Sequence, residues 1–181
     1  MARSMIDYVV SRGMEGRSVI EAGGGIGAIQ IELLKAGAAR TVNVELSEGY
    51  ERAARRLLAR EGLDDRVDRR IGDFTEVASD LEADDVVMNR VICCYPFMER
   101  LMGAALGSSR RFLAATFPRD RLPAKIGLTF GNLYCKVTGV DFRSYIHSPE
   151  AIVEMARAAG FQPVHEDRDF IWNAVVFEKV A

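Results

Sequence analysis

A length of 181 residues suits one domain, enough to bury roughly 70% of the surface that the unfolded chain exposes. Hydrophobic residues make up 49% and charged residues 28%, which excludes the apolar-poor, highly charged composition of disordered chains. Twenty-four Lys and Arg against 26 Asp and Glu leave a net charge of -2, so no global positive field draws the chain to nucleic acid or anionic lipid.

The stretch Met1-Ala-Arg-Ser-Met-Ile-Asp7 has neither the apolar core nor the cleavage site of a signal peptide, and charges interrupt every long apolar run. A cytoplasmic protein without a membrane span is the expectation. Beyond it, apolar runs of strand length alternate with segments of helical period, the pattern of βαβ units around a parallel sheet.

The first strand is expected at residues 18–22. It carries Glu21 at its end and runs into Gly23, Gly24, Gly25 and Gly27, an E-x-G-x-G-x-G turn of a kind that lets backbone approach a ligand closely. Ile26, Ile29, Leu33 and Leu34 give the next helix an apolar face, Gly37 ends it, and its N-terminus points at whatever the turn binds. A second strand at 41–45 ends in Glu45 and is followed by Leu46. Ser47 is placed to cap a surface helix whose apolar side is Tyr50, Ala53, Ala54, Leu57 and Leu58 and whose arginine-rich side is solvated.

Strand three, 67–71, leads into the turn dipeptide Gly72-Asp73 and then Phe74. Strand four, 85–89, ends in Asn89, with Arg90, Val91, Ile92, Cys93, Cys94, Tyr95 and Pro96 beyond it, and strand five covers 111–116. The least regular region, 118–145, interrupts the alternation. A single domain over 1–181 is expected, with 118–145 as a substrate-side lid or insertion; only about sixteen residues precede strand one to serve as another cap. Ser148 as N-cap, Pro149 at the first helical position and Gly160 as terminator define a last helix, followed by strands at 161–166 and 171–178. Three cysteines, Cys93, Cys94 and Cys135, and two histidines, His147 and His165, have no metal-ligand spacing, so reduced thiols and no metal are expected.

The glycine turn by itself admits two cofactors. Gly23, Gly25 and Ala28 fit the dinucleotide fingerprint G-x-G-x-x-A, with Glu45 about twenty residues on to hold a ribose, which would make the chain an NAD(P)-dependent oxidoreductase.

Three further motifs, in order, resemble class I S-adenosylmethionine-dependent methyltransferases over nearly the whole chain. Glu21 stands two residues before the first glycine, Arg70-Ile-Gly-Asp73-Phe74 ends strand three, and the chain closes with a helix, Gly160-Phe161, a strand and Trp172-Asn-Ala-Val-Val-Phe-Glu178. The resemblance implies an α/β Rossmann-like three-layer sandwich with a seven-stranded, mostly parallel sheet of order 3-2-1-4-5-7-6, strand 7 antiparallel. It implies S-adenosylmethionine as methyl donor and S-adenosylhomocysteine as product. Glu21 would meet the methionine end, Gly23, Gly25 and Gly27 would form the cofactor turn, and Glu45 would hold the ribose. Leu46 and Phe74 would cover the adenine faces, Asp73 would meet its amino group, and Asn89 would lie beside the transferred methyl.

The family's amino-group methylases carry an N-P-P-Y type motif after strand four, which Arg90, Val91 and Ile92 break here, so a nucleic-acid acceptor loses support. The run Phe142-Arg-Ser-Tyr-Ile-His147 resembles the small-molecule branch that includes magnesium-protoporphyrin O-methyltransferases. A small, largely apolar acceptor able to carry a carboxylate follows. Phe97, Met98, Leu101, Met102, Leu128, Phe130, Leu133 and Tyr134 are candidates for its apolar wall, and Arg90, Arg119, Arg121 and Lys125 for an anionic group. Tyr95 and His147 are the candidate bases for a hydroxyl acceptor, against readings as a packed aromatic beside Pro96 and a strand-end residue near Ser148. A methyltransferase-like domain that binds without catalysis is the third reading, and nothing in the sequence fixes an oligomeric state.

Overall fold

The computed structural model describes residues 2–180. Seven strands form one sheet: β1 (Ser18–Ala22), β2 (Arg40–Glu45), β3 (Val67–Ile71), β4 (Ala83–Asn89), β5 (Ser109–Pro118), β6 (Phe161–Arg168) and β7 (Trp172–Lys179). β1 is central, with β2 and β4 parallel on its two sides; β3 and β5 extend the sheet in parallel. β7 then enters antiparallel between β5 and β6. The order is 3-2-1-4-5-7-6, as expected.

Strand alternation explains the three layers, because successive side chains leave a strand on opposite faces. Ile20 and Ala22 of β1, Val86 and Met88 of β4, and Leu113, Ala115 and Phe117 of β5 face one core. That core is closed by α4 (Phe74–Val77), α5 (Met98–Ser108) and α7 (Pro149–Ala158). Val19, Val87, Phe112 and Ala114 face the other, closed by α1 (Ala2–Ser11), α2 (Ala28–Lys35) and α3 (Glu51–Glu61). With both faces covered, the central strands are apolar almost throughout.

Several local expectations change. α1 has no cap signal in the sequence, yet Met5, Ile6 and Val9 are buried against β5, β6 and β7. His165 serves this contact: its Nε2 lies 2.9 Å from the Ser4 hydroxyl, and its ring stacks on Tyr8 at 4.7 Å. Ser47 caps a single 3-10 turn at Glu48–Tyr50, accepting from the Gly49 N–H, and α3 begins only after it. Ser148 does cap α7, accepting from the Ala151 N–H.

Residues 118–145 are regular over more than half their length. They hold a 17-residue helix, α6 (Leu122–Thr138), with proline in its first turn and Gly139 in the left-handed conformation at its end. None of its residues is buried: Leu122, Ile126, Phe130, Leu133, Tyr134 and Val137, spaced at helical period, all stand exposed.

Candidate active site

The carboxyl ends of β1, β2, β3 and β4 lie side by side, the edge at which open parallel sheets bind ligands. The glycine turn after β1 is built from beneath. A Cβ added at Gly24 would lie 2.1 Å from Asn43 Nδ2 and 2.8 Å from Glu21 Cδ, and one at Gly27 would meet the Gln30 amide at 2.2 Å. At Gly23 it would strike Val91 at 2.6 Å, which shows how closely the turn abuts the segment after β4. Gly25 shares the positive φ of Gly23 and Gly27, at 56°, but has nothing nearer to its absent Cβ than Tyr50 at 4.0 Å. Three glycines of the run therefore make room for protein, and Gly25 leaves room outside it.

Glu21 lies below this turn, 3% exposed, and one oxygen accepts from the Gln30 backbone N–H and from Asn43 Nδ2, each at 3.2 Å. Burial pushes its pKa up from 4.5 to about 8, against the hydrogen bonds from Gln30 and Asn43 and the charge of Arg69. Arg69 of β3 is the residue that sequence reading missed. Its Nη1 donates to the Gly25 carbonyl at 3.1 Å and to Asn43 Oδ1 at 3.0 Å, and its Nε donates to Glu51 at 2.9 Å. The alternating polar residues Asn43 and Arg69 on neighbouring strands were the available signal, since both face inward on β2 and β3 beneath the turn.

Glu45 closes the turn from above: Oε2 accepts from the Gly25 N–H at 2.7 Å and Oε1 from the Ser47 N–H at 2.9 Å. Each carboxylate oxygen keeps a second acceptor position for a ligand hydroxyl. Asp73 caps α4 through the Thr75 N–H and takes the Tyr95 hydroxyl at 2.7 Å. Burial opposes ionisation of Asp73, but the Tyr95 and Thr75 hydrogen bonds outweigh it and hold the carboxyl below its ordinary range. Leu46 is 66% exposed beside this edge, whereas Phe74 is 6% exposed and belongs to the core. Phe74 is thus not a free aromatic plate: as the first residue of α4 it turns inward, and only Leu46 offers an open apolar face.

Asn89 ends β4 with its Oδ1 accepting from Thr116, whose own oxygen accepts from the Arg90 N–H at 2.8 Å. Arg90 has φ 60°, the one non-glycine positive φ among the described residues. Beyond it lies a cavity of about 450 Å³ between the end of β4, α6 and the start of β7. Arg90, Cys93, Arg121, Leu128, Ile171 and Trp172 are among its lining residues.

The expected substrate wall is mostly displaced. Of its eight apolar candidates only Leu128 lines this cavity; Met98, Leu101 and Met102 share the buried face of α5, and Phe97, Phe130, Leu133 and Tyr134 point outward. Of the four basic candidates, Arg90 and Arg121 reach it; Arg119 donates to the Asp169 carbonyl, and Lys125 pairs with Asp120. Neither candidate base lines it. The Tyr95 hydroxyl is committed to Asp73, and both burial and that neighbouring charge raise its pKa. His147 Nε2 is 2.9 Å from the Tyr95 carbonyl, which only accepts, so this nitrogen carries a proton and pins the segment before α7. Among the described residues, no group of three or more His, Cys, Asp or Glu could hold a metal ion, and no helix is long and apolar enough to cross a membrane.

No family model and no curated protein sequence matches this chain. Solved structures do. The magnesium protoporphyrin IX methyltransferase of Synechocystis with bound SAH is 20% identical at a TM-score of 0.77, covering 99% of this chain and 84% of that one. The 1,6-didemethyltoxoflavin-N1-methyltransferase of Burkholderia thailandensis is 19% identical at 0.72, over 99% and 78%. A putative RNA methyltransferase of Pyrococcus horikoshii is 18% identical at 0.71, over 99% and 83%, so similarity of fold alone does not select an acceptor. With its antiparallel β7 between β5 and β6, where the dinucleotide-binding order continues in parallel, this chain has the fold of the class I S-adenosylmethionine-dependent methyltransferases.

Proposed function

We propose that this protein transfers a methyl group from S-adenosylmethionine to a small, largely apolar acceptor that bears an anionic group. The observation that carries this reading is the glycine turn: tightly fitted to protein at Gly23, Gly24 and Gly27, open at Gly25, and in contact with the segment after β4 that leads to the cavity. An adenosyl cofactor fits there, because Glu45 retains acceptor positions at the turn and Leu46 and Asp73 lie at the next strand ends.

When bound, S-adenosylmethionine supplies an electrophilic methyl group. Methyl transfer is an in-line displacement, so the protein's work is to align the acceptor and exclude water. Glu45, Leu46 and Asp73 would hold the adenosine, while Glu21 would support the turn at the methionine end. Asn89, fixed by Thr116, would set the edge of the site where the acceptor enters. No base is assigned: Tyr95 and His147 act in this reading as the brace between Asp73 and the segment before α7.

Calorimetry with S-adenosylhomocysteine and with NADPH tests the donor. Binding of the first and not the second is expected, and the reverse would overturn the reading. Gly25→Val should abolish binding by filling the open side of the turn. Glu45→Ala should weaken it about ten- to a hundredfold, the worth of lost charge-assisted hydrogen bonds. Unchanged affinity in both variants would remove the cofactor from this turn.

A further inference from the structure

Two arginines and no carboxylate line the cavity beyond β4. An apolar chamber lined by two arginines and no carboxylate is complementary to an apolar anion, and Arg90, whose charge also reaches Asp169 outside the chamber, is the better placed to receive it. Arg121 sits outside the sheet, in the position before the first residue of α6. Arg90 directly follows β4, and its backbone is fixed on every side. Its N–H donates to Thr116, its carbonyl takes the thiols of Cys93 and Cys94 at 3.4 Å each, and the next residue, Val91, backs onto the cofactor turn.

Arg90 also holds a left-handed conformation that non-glycine residues adopt only when the surroundings impose it, a form of strain that concentrates at functional positions. The consequence is visible in its side chain. The guanidinium carbon lies over the ring of Trp172, 4.9 Å from its centroid, a cation–π contact. The N–H groups of a guanidinium lie in its plane, and among the described residues those of Arg90 donate to no protein acceptor. A guanidinium held against an aromatic ring, with its N–H groups given to no protein acceptor, can take an oxyanion in bidentate fashion.

We infer that Arg90 is the anion-binding residue of the acceptor pocket: it receives a carboxylate or like oxyanion through its in-plane N–H groups while the acceptor's apolar body lies against Leu128, Ile171 and Trp172. Assigning the bound anion as the methyl acceptor rests on the proposed function; the anion site itself does not.

The test compares two probes of the same apolar body, anilinonaphthalene sulfonate and its neutral counterpart N-phenylnaphthylamine, by fluorescence titration of the full chain. The wild type should prefer the sulfonate by about tenfold or more, as expected of a charge-assisted bidentate contact. Arg90→Gln should bring the ratio close to one with neutral-probe affinity kept. Arg90→Lys should keep part of the preference through its charge, and Arg121→Gln most of it. An unchanged ratio in Arg90→Gln, a parallel loss of both probes, or loss of preference in Arg121→Gln instead would overturn the assignment. Arg90→Asn, a residue that tolerates the left-handed backbone, guards against misfolding and should behave like Arg90→Gln. S-adenosylhomocysteine affinity is measured on the same samples: its absence beside an intact anion preference would overturn the methyl-donor reading alone, and its presence without that preference would overturn the anion site alone.

Discussion

Glu21 shows how a single residue can carry opposite demands. Its carboxyl is protonated over the range where the unfolded chain would ionise it, because its pKa is raised from 4.5 to about 8 by burial. The native state therefore binds more protons than the unfolded state in that window, and stability falls as pH rises through it, by up to about 1.4 kcal/mol per pH unit. Glu21→Gln keeps an oxygen to accept from Gln30 and Asn43 while removing the titration. Its urea-unfolding free energy should fall less steeply than that of the wild type between pH 5 and 8, the window bounded by about 4.5 and 8. Parallel profiles for the two proteins would mean that Glu21 is not the titrating group. Asp85, also buried, has its pKa raised by burial despite the opposing Arg111, so it adds to the same slope at the acid end in both proteins.

At the scale of elements, the pair Asp85 and Arg111 joins β4 to β5 through two hydrogen bonds of 2.8 and 2.6 Å. Arg111 also donates to the carbonyls of Arg12 and Gly13, so the same side chain ties down the end of α1. Arg111→Ala should cost about 3–5 kcal/mol in chemical denaturation, since it strands a buried carboxyl without its partner; a loss below about 1 kcal/mol would contradict this account.

The other informative element is α6, which roofs the cavity through Ala124, Gly127 and Leu128 yet buries none of its residues. Its following segment is pinned, with Asn132 bonded to both the N–H and carbonyl of Ser144 and the Tyr145 N–H to the Cys93 carbonyl. We propose that α6 is the substrate-side lid. Hydrogen exchange should be fast over 122–138 in the free protein and should slow several-fold when S-adenosylhomocysteine and anilinonaphthalene sulfonate are both present. Equal exchange with and without them would leave α6 no role in closure.

At the scale of the whole molecule, the sheet was legible because alternation of apolar runs with helical periods is a local property. β1 and β3 lie where the sequence places them, β2, β4 and β6 extend by one or two residues at one end, β5 extends by two at both ends, and β7 is shifted by one residue. The helices α1, α4, α5 and α6 were not read from the sequence. α1 is short and has no cap signal, although Met5, Ile6 and Val9 face inward with Arg3 and Asp7 exposed, and α6 carries an apolar stripe that no other element covers.

The sequence by itself determined the seven strands, the helices α2, α3 and α7, the acidic strand ends Glu21 and Glu45, and the glycine turn between β1 and α2, because each depends on neighbours within a few residues. Only the tertiary structure decided what those residues touch. It drew Phe74 into the core, committed Tyr95 and His147 to bracing, brought Arg69 beneath the turn from two strands away, and set Arg90 against Trp172 across β5. Such contacts join positions up to about eighty residues apart, and spacing along a chain carries no record of which side chains a sheet will place face to face.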